Sequence, residues 1–284
     1  DEIEEVVAVG TRREARSVGD SPAPVDIISG SDFTNQGAAD LPDMIRTLVP
    51  SFNVNTQPIS DAATLIRPAN LRGLPPDNML VLVNGKRRHR GAVISFLGSG
   101  ISDGAQGPDI SAIPSIALKQ VEVLRDGAAA QYGSDAIAGI MNFVYKDNSE
   151  GTQIEIRSGE YSDGDGDMYR VAANVGMPFT ANGFANVSIE LQDTDPTSRS
   201  VQRGDAQSLY DGGNAAIWNY PNPAQIWGSP KVSDDIKLVA NIGLELDANK
   251  EFYLFGNYAE RKVLGGFFFR NPTNRGGIFS TDGG

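Results

Sequence analysis

Few side chains in this sequence could do chemistry, and they are scattered. Asp103 and Asp109 could pair as a general acid and base in the manner of a carboxylate hydrolase. Asp163-Gly164-Asp165-Gly166-Asp167 sets carboxylates at alternate positions, as a calcium loop does. Lys86-Arg87-Arg88-His89-Arg90 is a dense basic run in a chain of net charge -12; it could hold an anion, or be no more than solvated turn residues or charges paired elsewhere in the fold. Each pattern meets a stricter test. Nothing in the sequence builds a cleft around the aspartate pair. An EF-hand needs glycine at position six and glutamate at twelve; counting from Asp163, those places hold Met168 and Asn174, so the motif fails and a solvated acidic loop or a looser cation site remains. No G-x-G-x-x-G or Gly-Lys-Ser/Thr loop opens a helix to cradle a nucleotide. With one histidine, His89, and no cysteine, the chain has no thiolate site, no disulfide and no multi-histidine metal centre. The acidic balance argues against nucleic acid, whose phosphates recruit Lys and Arg. We assign no catalytic residue, metal ligand or cofactor.

The elements around these residues change character near Lys146 to Gly151. Before that point, short β runs mix with helical and irregular segments. Glu5 to Val9 and Val25 to Ser29 read as strands, and Ser31-Asp32-Phe33 offers a helix N-cap. Asp40 to Leu48 carries Leu41, Met44, Ile45 and Leu48 on one helical face, with Pro50 to stop it. Met79 to Val83 is a buried-strand run that ends in the Asn84-Gly85 hairpin signal. Ile116 to Leu124 and Ile137 to Val144 supply further apolar strands. These add up to an α+β domain of ordinary size.

After that point the period becomes two. Thr152 to Arg157, Tyr169 to Met177, Ala185 to Gln192 and Ile236 to Leu246 each alternate apolar and polar residues, and Glu251 to Glu260 is aromatic-rich with its facing open. Segments of about ten alternating residues suit transmembrane β-strands. The short links Pro178 to Gly183 and Asp247 to Lys250 alternate with long ones at Gly159 to Asp167 and Asp195 to Asp234, as periplasmic turns alternate with extracellular loops. A soluble antiparallel sandwich with one wet face gives the same alternation, so periodicity leaves both open. No apolar run approaches the roughly 18 residues of a spanning helix.

Motifs decide between them. Ile66-Arg67-Pro68-Ala69-Asn70-Leu71-Arg72-Gly73 followed by Met79 to Lys86, then Ile113-Pro114 with Val121-Glu122-Val123-Leu124-Arg125-Asp126-Gly127, resemble the central plug segments of TonB-dependent outer-membrane receptors. Tyr132-Gly133-Ser134-Asp135-Ala136-Ile137-Ala138-Gly139-Ile140-Met141-Asn142-Phe143 resembles the closing plug signature, and Glu4 to Arg12 the opening. Asp126, where Gly-Pro is common, and Ala138, for a frequent glycine, are modest departures.

The resemblance implies a TonB-box-like segment at 1–10, a plug domain at 11–147, and the N-terminal part of a transmembrane β-barrel at 148–284. The fold expected is thus an α+β plug followed by an incomplete antiparallel barrel, part of a barrel of roughly 22 strands. It implies an energy-coupled importer, not an enzyme, in the outer membrane of a Gram-negative bacterium, surrounded by outer-membrane lipid. The imported ligand would be a siderophore-iron complex, a cobalamin-like cofactor or an oligosaccharide. The C-terminal domain of TonB would contact Ile3, Glu4, Glu5, Val6, Val7, Ala8 and Val9 by strand addition, although the same residues could be the plug's first strand. Arg72 and Arg125 would pair with glutamates of the barrel wall. Ligand would meet the plug apices, Phe52 to Ile66 and Arg88 to Asp109, through Phe52, Asn55, Gln57, Arg88, His89, Arg90, Phe96, Asp103 and Gln106. The competing reading is a secreted or periplasmic β-rich binding protein.

Overall fold

A computed structural model describes residues 6–7, 16–17, 25–38, 40–54, 63–95, 100–125, 129–214, 228–247, 249–266, 269 and 271. Within these, β1 (Val6–Val7) pairs with β2 (Arg16–Ser17). The first domain continues with β3 (Val25–Ser29), α1 (Gly30–Thr34), α2 (Leu41–Leu48), β4 (Phe52–Val54), α3 (Ala63–Ile66), β5 (Ala69–Leu71), β6 (Met79–Val83) and β7 (Lys86–Arg87). It closes with β8 (Leu118–Leu124), α4 (Ala129–Tyr132) and β9 (Gly139–Tyr145).

Its sheet runs β3-β8-β9-β6-β7, with β6 parallel to β9 and the other pairs antiparallel. The parallel pair demands the long crossover between residues 83 and 139, and that excursion carries the loops of interest. Asn84 and Gly85 both take positive φ, 47° and 73°, as a tight hairpin requires. Gly139 has φ 138°, and a Cβ there would sit 2.5 Å from the Leu124 carbonyl oxygen, so only glycine brings β9 against β8.

α2 forms where the apolar spacing expects it. Asp40 caps it by accepting from the Asp43 amide at 3.1 Å, and its buried face is Leu41, Met44 and Ile45. The cap of α1 lies two residues earlier than expected: Ser29, not Ser31, accepts from the Asp32 amide, and the Asp32 carboxylate accepts from the Ser29 amide. Ser29 wins because only it has Asp32 at the third position beyond it. Strand β8 likewise begins at Leu118, since Ser115–Ala117 is a 3₁₀ turn entered from Pro114.

The second sheet is an open antiparallel meander of β10 (Thr152–Gly159), β11 (Met168–Thr180), β12 (Gly183–Thr194), β13 (Lys231–Asp247) and β14 (Lys250–Leu264). A helix, α5 (Gly204–Asp211), lies in the long connection before β13. The alternation is physical: Ile154 and Ile156 are 67% and 68% exposed on the outer face, while Arg170, Asn174, Ser188 and Glu190 are buried on the inner one.

The inner face packs on the first domain. Val239 of β13 is buried in that domain's main apolar cluster, and Phe255 of β14 packs against it. Tyr145 meets Phe255 edge-on, with ring centroids 6.3 Å apart. This settles β14: Phe255 turns inward and Tyr258 outward. A fully buried Val side chain such as Val239 contributes about 1.5–3 kcal/mol, so the wall completes the plug's core.

Candidate functional site

The seam between sheet and plug has two chemically different ends. Beside the short turns it is built mainly from amides. Asn84 donates to Asn241 Oδ1 at 3.2 Å, Asn241 to the Lys146 carbonyl at 3.0 Å, and Asn186 to Asn148 Oδ1 at 2.9 Å. Asn174 links this group along the wall, donating to Asn186 Oδ1 at 2.5 Å and Ser188 Oγ at 2.8 Å. Tyr145, whose hydroxyl is buried here without a hydrogen-bond partner, has its phenol pushed up to about 12 by burial. Burial also pulls the Lys146 ammonium down.

Toward the long connections the seam is ionic. Arg170 reaches Glu190 at 2.6 Å and Glu155 at 3.0 Å, and donates to Ser115 Oγ of the plug at 2.7 Å. Lys237 pairs with Glu190 at 2.8 Å and Asp235 at 3.2 Å. Arg157 donates to the carbonyls of Thr34 and Gln36, both at 2.7 Å, where α1 ends. These residues stand on strands whose other faces are apolar; their inward charge was visible in the alternation, but their partners were not.

The plug answers with its own clamp. Arg67 holds Asp40 at 2.8 Å and Asp43 at 3.2 Å. Burial opposes ionisation of Asp40, but the Arg67 guanidinium and the hydrogen bonds from Asp43 together outweigh it and hold the carboxyl below its usual range. Burial, helped by repulsion from Asp40, raises Asp43. Burial also works against Arg67, yet its two aspartates keep its pKa raised.

The expected site residues divide. Arg88, His89, Arg90 and Gln106 line a common cavity of about 520 Å³. Arg88 donates from there to Asn257 of β14 at 2.5 Å, and Gln106 to the Gly91 carbonyl at 2.8 Å. Asp103 lies exposed just after the 3₁₀ turn Gly100–Ser102. Arg261 of β14 ties both apical segments to the wall, through the Leu65 carbonyl and through Asp109 at 3.5 Å. Phe52 is a correction: it is 2% exposed inside the plug core, because β4 alternates and Phe52 shares the inward parity with Val54. Asn55, Gln57 and Phe96 lie outside the described residues, as do Ile3, Glu4, Glu5, Ala8 and Val9, while Val6 and Val7 form β1.

Among the described residues Arg72 and Arg125 meet partners within the first domain. Arg125 pairs with Asp26 of β3 at 2.5 Å, and Arg72 donates to the Arg125 carbonyl at 2.5 Å. Arg72 takes φ 56°, in the left-handed region. The acidic loop also has a resident. Arg199 holds Asp163 at 3.0 Å and Asp165 through both oxygens, and its hydrogen bonds keep Asp165 below its usual range. A cation at Asp163–Asp167 would have to displace it. Among the described residues no group of three or more His, Cys, Asp or Glu could hold a metal ion.

Residues 17–140 match the family model described as the TonB-dependent Receptor Plug Domain. A ferric enterobactin receptor, PirA, of Pseudomonas aeruginosa is 31% identical over 60% of this chain and 24% of its own length. A rhizobactin receptor of Rhizobium meliloti is 26% identical over 92% of this chain and 31% of its own, and a vitamin B12 transporter, BtuB, of Photobacterium profundum is 24% identical over 67% and 28%. The chain thus spans a quarter to a third of the length of these relatives. The crystal structure of a ferric enterobactin receptor of Pseudomonas aeruginosa in complex with enterobactin has a similar fold, with TM-score 0.63 and 20% identity over 85% of this chain and 33% of that one.

Proposed function

We propose that this chain, whose residues 17–140 match the plug-domain model, belongs to the TonB-dependent receptors and is the plug and opening barrel strands of an outer-membrane importer for a scarce ligand. The observation that carries the reading is the seam: an α+β sheet docked on the polar inner face of strands whose outer face is apolar. An outward row such as Ile154 and Ile156 suits lipid, and a soluble binding protein would leave it in water.

The ligand class follows the relatives, whose names specify ferric enterobactin, rhizobactin and vitamin B12. A ferric siderophore or cobalamin would meet the plug apices. Arg88, His89, Arg90 and Gln106, with Asp103 nearby, supply polar groups at one cavity, a usual arrangement for a ligand pocket. Asn55, Gln57 and Phe96 complete the proposed contact set. TonB would add a strand to Ile3 to Val9, pairing with backbone rather than reading side chains. The plug would then move against the wall, and the ion pairs along the seam suit a contact that must hold and still open, because desolvation offsets much of their attraction.

The test is uptake of labelled ferric siderophores and cobalamin by cells carrying the full receptor, with and without TonB. Accumulation that needs both receptor and TonB supports the reading. Accumulation indifferent to TonB, or soluble secretion of the protein, overturns it.

A further inference from the structure

A second cavity, of about 780 Å³, lies where β10, β11, β12 and β13 meet the long connections. Strand pairing sets Ser158 opposite Tyr169 and Tyr169 opposite Asp193, all three on the outward face. Glu160, Asp167 and Asp195 repeat that facing two residues further along each strand, so the cavity opens away from the plug. It shares none of the lining of the basic cavity at Arg88 to Arg90. In the other direction along the same strands stand Ile156 and Leu191, 68% and 43% exposed. A polar depression thus sits directly on the border of the outer apolar band.

Its charges are partly spoken for. Lys231, the one cation of the lining, pairs with Asp195 at 3.2 Å. Asp193 Oδ1 accepts from the Asp234 amide at 3.0 Å. Among the described residues no hydrogen bond or ion pair engages the carboxylates of Glu160 and Asp167, and both residues are exposed. The rim near them is fixed, since the Asp195 amide donates to the Asp167 carbonyl at 2.8 Å. Ionised carboxylates only accept, so a ligand that enters here meets open acceptors and gains by donating.

Position, charge and size narrow the occupant. An anionic lipid headgroup is read by clustered Lys and Arg, and this lining offers one lysine that is already paired. Among the described residues no acidic or histidine cluster could hold a metal ion. The volume is that of a site for a molecule of several rings rather than for a single ammonium group. Tyr169, 56% exposed, presents a ring face at the border, where an aromatic side chain is apolar on its body and polar at its tip. We propose that this depression binds the uncharged saccharide headgroup of a glycolipid. Its hydroxyls donate to Glu160 and Asp167, its sugar ring lies on Tyr169, and its acyl chains run down the row of Ile156 and Leu191. The proposal rests on the reading of the outer face as lipid-facing.

The experiment places the full receptor in phosphatidylcholine nanodiscs that also hold equal parts of digalactosyldiacylglycerol, phosphatidylglycerol and phosphatidylethanolamine. Native mass spectrometry counts the lipids retained on the protein. The digalactosyl lipid should be retained about fivefold above its share, the worth of about one net hydrogen bond. Tyr169→Ala, and Glu160→Ala together with Asp167→Ala, should each bring it down to its share. Glu160→Lys together with Asp167→Lys should turn the preference to phosphatidylglycerol, a reversal that a misfolded variant would not give. Lipids retained in their bulk proportions overturn the proposal and leave the lipid-facing surface standing. A receptor that does not enter the discs removes that surface, and the proposal with it. Three further results overturn the proposal alone: equal enrichment of phosphatidylethanolamine, enrichment only in the presence of calcium, or displacement of the lipid by the free galactose disaccharide at equal concentration.

Discussion

Arg170 and Glu190 face one another on neighbouring strands at 2.6 Å, and the same guanidinium donates to Ser115 of the plug at 2.7 Å. One buried arginine thus couples wall to wall and wall to plug. Removing Glu190 leaves Arg170 and Lys237 short of a shared carboxylate. Breaking a buried pair from one side costs about 3–5 kcal/mol. Glu190→Leu should therefore loosen the plug, read as faster cleavage of the 115–145 region by protease in the folded receptor. Unchanged protection would mean that the seam is held elsewhere.

The outer face is tested by charge. Val187→Arg and Ile189→Arg place a guanidinium on the apolar side of β12, and each should lower refolding into bilayers by about 2–4 kcal/mol at mid-depth. The same substitution at Asn182, in the exposed turn before β12, should cost little. Equal tolerance at all three positions would remove lipid from the assignment.

Gly139→Ala should destabilise the plug by about 1–3 kcal/mol from its positive φ, with a further cost from the overlap at the Leu124 carbonyl. Chemical unfolding of the full receptor, followed by plug-specific proteolysis, would register it. Gly133→Ala is the informative companion: it shares the positive φ but has open space for a methyl group, so it should cost less.

The aspartates on Arg67 predict opposite pH limbs. Asp40 is held below its usual range, so its contribution is present above the ordinary carboxylate pKa and is lost as pH falls through its depressed value. Asp43 is raised, so its contribution is full below the ordinary value and is lost as pH rises through its elevated one. Asp40→Asn should flatten the acid limb of thermal stability, and Asp43→Asn the limb just above it. Parallel pH profiles for wild type and both variants would contradict these assignments.

Strand addition at the N-terminus needs backbone donors. Val6→Pro together with Val7→Pro removes two of them, and should abolish TonB-dependent uptake at normal receptor abundance. Full uptake would place the TonB contact outside Ile3 to Val9.

Local pattern carried much of this structure. A period of two over Tyr169 to Met177 and Ala185 to Gln192 needs only one wet and one dry face, and it set which side chains turn inward. Asn84-Gly85 determined its own hairpin, because both residues tolerate positive φ, and the spacing of Leu41, Met44 and Ile45 determined α2. The motif order from Arg67 to Phe143 carried the resemblance to a receptor plug, and residues 17–140 match the plug-domain model. Partnership was a different matter. Whether Arg125 meets Asp26 or a wall glutamate, whether Arg199 closes the Asp163–Asp167 loop, and which plug oxygen Arg170 finds all depend on residues far away in sequence. Phe52 shows the same limit: an aromatic beside an apical loop could line a pocket or fill a core, and only the register of β4 on β5 turned it inward. Alternation states which face a side chain takes; the docking of one sheet on another decides what stands opposite, because that pairing is set by the packing of whole surfaces.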